Sequence, residues 1–413
     1  MKVLHLTAGS LTGGAARGAL WLHRALSDSG IDSTLLTNGA GIAGDRTVCS
    51  LAPLRIQRLR FDIRTRIAAL SLRRYPRRQR WIFSTGFDGV DLSTHPLVKQ
   101  ADIVHLHWIN GLVSLTGLSR IDKPVVWTLR DMWPFTGGCH YAMGCDRYER
   151  ACGRCPQLGS TVDDDLSARV LVRKRESLPA NLCVVPISDW LADCARDSSL
   201  FRQARIEMIH NCFDAEEFYP VDRQQARRYL GLPRECRVIA LGAQTVQDFY
   251  KGMDLALQAL GELKSDNLHL LIFGNVQGLT ADTLPLPSTM LGFVHDTETL
   301  RSVYSAADVF IAPSRMEAFG KTLVESMGCG TPVVCFDQTG PAEIVDHQVT
   351  GYKARPFESG DLARGVEWVL AQDPDTAEAI RANSRQRALM KFSAPIAAQR
   401  YRELYQRLLQ SAV

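Results

Sequence analysis

Short apolar runs alternate with longer amphipathic stretches along the whole chain. The runs at residues 3–6, 33–37, 103–106, 124–129 and 183–187 have the length of buried strands. Between the first two, residues 14–29 place apolar side chains at helical spacing and stop beside Gly30. Ser188 caps a further helix that carries Trp190 and Leu191. Beyond residue 220 the same grammar returns, with strands predicted at 237–241, 269–273, 290–293, 309–312 and 332–336. Helices are predicted at 254–263, 297–306, 323–327 and 361–371, and a last one at 395–409. Strands that are apolar throughout belong to parallel sheets covered on both faces. Two successive βαβ arrays therefore predict an α/β chain of two Rossmann-like domains, linked near 211–220 where the pattern lapses.

Composition adds bounds. The chain has 413 residues, 46% hydrophobic and 22% charged, ordinary values for two globular domains. No apolar run approaches the ~18 residues of a membrane span. The start reads as a first strand, not a secretion signal. Eleven cysteines, an odd count, then point to a reducing compartment, with free thiols or a metal site. The net charge of +4 hides one basic stretch: residues 55–80 hold ten arginines against the single acid Asp62, a local charge of +9. Apolar residues interleave with them at spacings of two to four, as in an amphipathic helix on an anionic lipid surface. Only Phe61 and Tyr75 are aromatic there, thin provision for base stacking, so a nucleic-acid partner is not expected.

The strongest candidate chemistry lies at residues 314–334. Glu317 and Glu325 stand eight positions apart across the sequence Phe319-Gly320-Lys321. The pattern puts Glu317 on a loop at a strand's carboxyl end and Glu325 about two turns into the next helix. Ligands of open α/β sheets bind at that edge. Gly320 permits close backbone approach, and the helix start offers N–H groups to a phosphate. Upstream, Gln244 and Lys251 follow another strand, where an ammonium at a helix start can neutralise a diphosphate. Gly13 and Gly14 follow the first strand; a tight turn explains them as well as an anion site does. His105 and His107 share one face of a strand, with His107 at the carboxyl end. Cys139, Cys145, Cys152 and Cys155 have a spacing able to close a tetrahedral zinc site, with His140 as a possible replacement ligand.

These pieces together resemble glycosyltransferase family 4, the retaining glycosyltransferases of GT-B fold. The match runs over nearly the whole chain. Its most specific part is 314–334; others are Ile209-His210-Asn211 with Asp214 and Phe218, Phe273-Gly274, Leu291-Gly292-Phe293, Tyr304, and Gly340 with Glu343 and Gly351. The stretch 127–141 is similar to a branch that assembles bacterial surface polysaccharide. The resemblance implies two Rossmann-like domains facing a central cleft: 1–212 on the acceptor side, with the basic segment 54–80 and a cysteine-rich insertion 137–157, and 213–392 for the nucleotide sugar. A final helix, 393–413, would pack back on the first domain. It implies transfer of a sugar from a nucleotide-diphosphate sugar, with retention, to a lipid-linked glycan in exopolysaccharide, capsule or O-antigen assembly. The catalytic group would comprise Lys251, Glu317, His107 and Arg130. The donor would be held by Gly13, Gly14, Gln244, Lys251, Phe319, Gly320, Lys321 and Glu325. No catalytic metal is expected, while zinc on the four cysteines would be structural. The expected location is cytoplasmic, on the inner face of the bacterial plasma membrane through 54–80. Two departures stand out. Ala243 occupies the place where the family usually has an arginine, and Arg130 stands where many relatives have histidine. The rival readings are a sugar-nucleotide epimerase or hydrolase of the same fold, and a zinc-containing nucleic-acid-binding protein.

Overall fold

A computed structural model describes the chain except residues 52–62, 64–65, 68–69, 80, 246–247, 277 and 412–413, and the side chain of Gln244. The described residues form two units, 1–210 with 397–413, and 211–396.

The first unit is built on seven strands: β1 (Lys2–Thr7), β2 (Asp32–Thr37), β3 (Val48–Ser50), β4 (Ile103–Leu106), β5 (Val125–Leu129), β6 (Leu182–Pro186) and β7 (Arg205–Ile206). Their order is β3-β2-β1-β4-β5-β6-β7, all parallel. Every residue of β4 and β5 is buried, as expected of strands covered on both faces. Helices α1 (Gly14–Asp28), α2 (Leu166–Glu176) and α3 (Asp189–Asp197) belong to this unit. The strand order reverses between β1 and β4, so their carboxyl ends open a crevice at which such sheets bind ligands.

The second unit has β8 (Arg237–Thr245), β9 (Leu268–Asn275), β10 (Ser288–Met290), β11 (Val309–Ala312), β12 (Val333–Phe336) and β13 (Gly351–Ala354). They lie parallel in the order β10-β9-β8-β11-β12-β13. Helices α4 (Met253–Gly261), α5 (Thr297–Ala306), α6 (Lys321–Gly328), α7 (Ser359–Leu370) and α8 (Pro374–Phe392) accompany them. Ile239, Leu241, Leu270, Ile272, Val309 and Ile311 pack with Leu362 and Val366 of α7 into one apolar core. The reversal here falls between β8 and β11. The last helix, α9 (Ala394–Gln410), contributes its residues from 397 onward to the first unit. Ala397, Ala398, Tyr401, Leu404, Tyr405 and Leu408 are its buried stripe, at helical spacing.

Several elements differ from the sequence reading. β8 and β9 run on to Thr245 and Asn275. β10 ends at Met290, and Gly292, at φ +65°, turns the chain out of the sheet. β3, β7, β13, α2 and α8 have no counterpart in the sequence reading. β13 is a short edge strand with little apolar content, and α8 buries only Ile380, Ser384, Ala388 and Phe392, a single narrow stripe.

Candidate active site

In the second unit the two reversal strands deliver two loops side by side. The loop after β8 ends in the turn Phe249–Lys251, and the loop after β11 carries residues 313–320. They touch through their backbones. Gly252 sits at φ +69°, and a Cβ there would stand 1.9 Å from the Pro313 carbonyl oxygen. The Arg315 N–H donates to the Tyr250 carbonyl at 2.7 Å. The Arg315 side chain then clasps the other loop, with a two-pronged ion pair to Asp254 at 2.7 and 2.6 Å and its guanidinium 4.3 Å over the Phe249 ring. The pair holds the Asp254 carboxyl below its usual range. Arg315 was not among the sequence candidates, because its partner lies 61 positions away on an element of its own.

This clasp brings two predicted residues together. The Lys251 ammonium forms an ion pair with the Glu317 carboxylate, and both side chains remain partly accessible. Lys251 is thus compensated in this state. It was expected on a diphosphate; here it rests against the carboxylate expected to face the sugar. Glu317 is fixed in turn by its backbone, whose carbonyl accepts from Gly340 N–H at 3.0 Å. A Cβ on Gly340 would stand 2.5 Å from Phe319 Cα, so the 340 segment lies directly on this loop.

Gly320, at φ +113°, is the N-cap of α6, a conformation that favours glycine. Phe319 before it is buried, edge-on to Phe392 at 5.5 Å. Glu325, deep in α6, is 1% exposed. Its Oε2 accepts from the Tyr304 hydroxyl at 2.8 Å. Its Oε1 lies 2.9 Å from the Lys321 ammonium, an ion pair without hydrogen-bond alignment, and accepts no hydrogen bond. Tyr304 is held edge-on by Phe273, Phe310 and Phe218 at 5.6–6.0 Å. A buried carboxylate with an unfilled acceptor oxygen is costly unless something donates to it. Gln244 lies on β8, and Ala243 packs at the edge of the apolar core.

In the first unit Gly13 is the N-cap of α1 and Gly14 its first residue, directly after β1 and its loop. The Gly13 N–H is used within the loop, donating to Ser10 at 3.0 Å. Three histidines stand on or directly after the two reversal strands. His5 of β1 and His105 of β4 are in register, and His107 follows β4. All three are buried, and burial first, then neighbouring cationic groups, hold them well below the usual histidine range. Arg130 Nη2 lies 3.1 Å from His107 Nδ1, and His107 Nε2 lies 2.9 Å from His5 Nδ1. A guanidinium only donates, so His107 Nδ1 accepts, and its Nε2–H donates onward to His5. Both His107 nitrogens are engaged and its ring is neutral. His107, expected in the catalytic group, is thus placed between Arg130 and His5. His105 is structural, bonded to Tyr405 at 2.6 Å and Thr128 at 2.7 Å. Thr128 also meets Tyr401 at 2.6 Å.

His140 is not available to a metal. Its Nδ1 meets Asp131 at 2.6 Å and its Nε2 meets Ser84 at 2.9 Å. The basic segment 54–80 lies largely outside the described residues. Among those described, Ile63, Ile67 and Leu70 are about half exposed, and Leu72 and Tyr75 pack on Cys155, Leu158 and Leu166. No helix among the described residues is long and apolar enough to cross a membrane.

Two facing loops at a sheet reversal, a basic group, and a buried acid on the following helix define a Rossmann-type site for an anionic ligand. Comparison with known proteins gives the class. Glycosyltransferase Family 4 matches residues 12–217, and the group 1 glycosyl transferases match residues 244–387. The chain belongs to this family, is a glycosyltransferase and has the GT-B fold. The Escherichia coli protein WcaC, provisionally described as a colanic acid biosynthesis glycosyl transferase, is 26% identical over 99% of this chain and 100% of its own. D-inositol 3-phosphate glycosyltransferase of Mycolicibacterium smegmatis is 28% identical over 66% of this chain and 60% of its own. Among solved structures, sucrose-phosphate synthase from Thermosynechococcus elongatus aligns over 100% of both chains with a TM-score of 0.68 at 19% identity. Anabaena HepE, solved with UDP and glucose, aligns over 98% of this chain and 100% of its own, TM-score 0.64 at 18% identity.

Proposed function

We propose that the protein transfers a sugar, with retention of configuration, from a nucleoside-diphosphate sugar to a lipid-linked glycan during assembly of a bacterial surface polysaccharide. The observation that carries this is Glu325: a buried carboxylate held by Tyr304 at Oε2, whose Oε1 is paired with Lys321 without an aligned hydrogen bond. Vicinal ribose hydroxyls are suitable donors. The diphosphate would then meet Lys251 and the N-terminus of α6 at Gly320 and Lys321, and the sugar would meet Glu317. Ligand binding exchanges the Lys251–Glu317 ion pair for contacts to phosphate and sugar. Gln244, on β8, and the backbone at Phe319 complete the donor side of this unit in this reading. Solved complexes of HepE with UDP and UDP-glucose support a nucleotide-sugar donor for this fold. The full-length similarity to WcaC supports a polysaccharide product.

Neither carboxylate is placed as a nucleophile. Glu317 is paired with Lys251, and Glu325 is buried. Retention then comes from attack on the face the diphosphate leaves, with the diphosphate taking the acceptor proton, aided by fixed positive charge. Arg130, being permanently protonated, is no base. The exposed row Ile63, Ile67 and Leu70, beside exposed Arg66, Arg73 and Arg74, supports docking on an anionic membrane surface.

The test is Glu325→Ala, measured by calorimetric titration with UDP, GDP and ADP and their sugars, followed by transfer to a lipid-linked acceptor. A single charged hydrogen bond is worth about 1.5–3 kcal/mol, so affinity for the preferred nucleotide falls at least tenfold. Unchanged affinity would remove the reading. Turnover of the donor without any acceptor would favour a hydrolase.

A further inference from the structure

We infer that the loop 136–155 is a structural zinc site, with Cys139, Cys145, Cys152 and Cys155 as four thiolate ligands. Nothing in the transfer reaction requires these residues, and they sit on a segment with little regular structure. All four line one small cavity of about 20 Å³, room for a single ion. No two of the described cysteines form a disulfide.

The backbone around the second pair is shaped like a metal-binding turn. Cys152, Gly153 and Arg154 have φ of 58°, 81° and 41°, three left-handed residues in succession, two of them not glycine. Such a run costs about 1 kcal/mol or more per non-glycine residue and needs something to hold it. Asp165 and Ser167 hold its outer side: Cys155 N–H donates to Asp165 at 2.8 Å and Gly153 N–H to Ser167 at 2.9 Å. The inner side presents sulfur. Burial pushes both thiols up, and against it the backbone N–H of Gly137 meets the sulfur of Cys152, and those of Leu158 and Gln157 that of Cys155. N–H groups directed at sulfur favour the thiolate and orient it, the usual outer shell of a metal-bound cysteine.

A buried cation stands beside the cluster. Lys174 is 1% exposed, donates to the carbonyls of Trp133 and Thr136, and lies 3.7 Å over the Trp133 ring. Binding converts four S–H groups and Zn²⁺ into a tetrathiolate of charge −2, with the four protons passing to buffer. That charge offsets the Lys174 ammonium in a place where an uncompensated charge is expensive. Among the described residues no three of these sulfurs meet within 4.8 Å. Zinc–sulfur bonds of about 2.3 Å would draw the sulfurs to about 3.8 Å apart, so binding tightens the cluster around the ion.

The experiment uses the full chain, purified under reductant without chelator. Elemental analysis is expected to find one zinc per chain, released on titration with a mercurial. Cys145→Ser and Cys152→Ser are expected to lose it, and Cys49→Ser, on β3, to keep it. Should the serine variants fail to fold, cobalt uptake by the wild-type chain decides: a tetrahedral cobalt–thiolate spectrum displaced by zinc supports the site. Metal-free protein that takes up neither cobalt nor zinc overturns it. So does iron in place of zinc, or a disulfide between any two of the four in freshly reduced protein.

Discussion

Lowering the pH from 7 to 5 should destabilise the first unit, and His23 gives the effect a size. This residue of α1 is 1% exposed and bonded to Ser33 at 2.7 Å and Thr47 at 3.0 Å. Burial lowers its pKa from 6.5 to about 4. The unfolded chain therefore binds a proton near pH 6.5 that the folded chain refuses until about pH 4. Stability from this group is complete above 6.5 and is lost as pH falls through the window down to 4. Integrated from pH 7 to pH 5 with these two values, the loss is about 1.8 kcal/mol. His5, His105 and His107 are shifted in the same direction and steepen the fall. The perturbation is His23→Gln, whose amide can keep both hydrogen bonds but does not titrate. The assay is urea unfolding at several pH values, followed by tryptophan emission. Six of the seven tryptophans, at 21, 81, 108, 127, 133 and 190, belong to the first unit, so the signal reports on it. The variant should be about 1 kcal/mol less stable at pH 7. Its loss on going to pH 5 should be smaller than wild type's by about 1.8 kcal/mol. Identical pH dependence in the two proteins would refute the reasoning, since the other histidines are untouched.

Three further outcomes are expected at the site. Tyr304→Phe removes the 2.8 Å bond to Glu325 and leaves a buried carboxylate less satisfied; nucleotide affinity should fall by about tenfold, read by calorimetry. Arg315→Ala unclasps the Lys251 loop from the Glu317 loop. Because Asp254 is largely exposed, thermal stability should change by under about 1 kcal/mol. Meanwhile kcat/KM should drop about tenfold or more, through misplacement. His107→Phe takes the acceptor from Arg130. It should lower kcat with nucleotide affinity unchanged, and His107→Asn, which restores an acceptor, should recover part of the rate; a loss confined to Tm would make the residue structural only.

Much of the fold could be read from the sequence because its signals are local. Four-residue apolar strands such as 103–106 and 309–312 match the observed strands residue for residue. The spacing of Glu317 and Glu325 was enough to place one on a loop and the other within α6. What escaped was set by distant partners. Lys174 lies in the run Arg173-Lys174-Arg175, which reads as a solvated face, yet it alone of the three is buried under Trp133. His107 could be placed at a strand's carboxyl end, but its partners on β1 and after β5, His5 and Arg130, could not be read from the sequence. Arg315 could not be distinguished from any surface arginine until Asp254 was found beside it.

The buried phenols of α9 bear on how the molecule is made. His105 and Thr128, in the middle of the first sheet, are satisfied by Tyr405 and Tyr401, some 300 and 273 positions later. When residues 1–210 have left the ribosome, the sheet can assemble, but two of its inner polar groups still wait for the end of the chain. At 5–20 residues per second that wait is about 10–40 seconds, during which the apolar seat of α9 is open to other partners. The first unit is thus completed last, and a nascent chain stalled within the second unit would leave both unfinished.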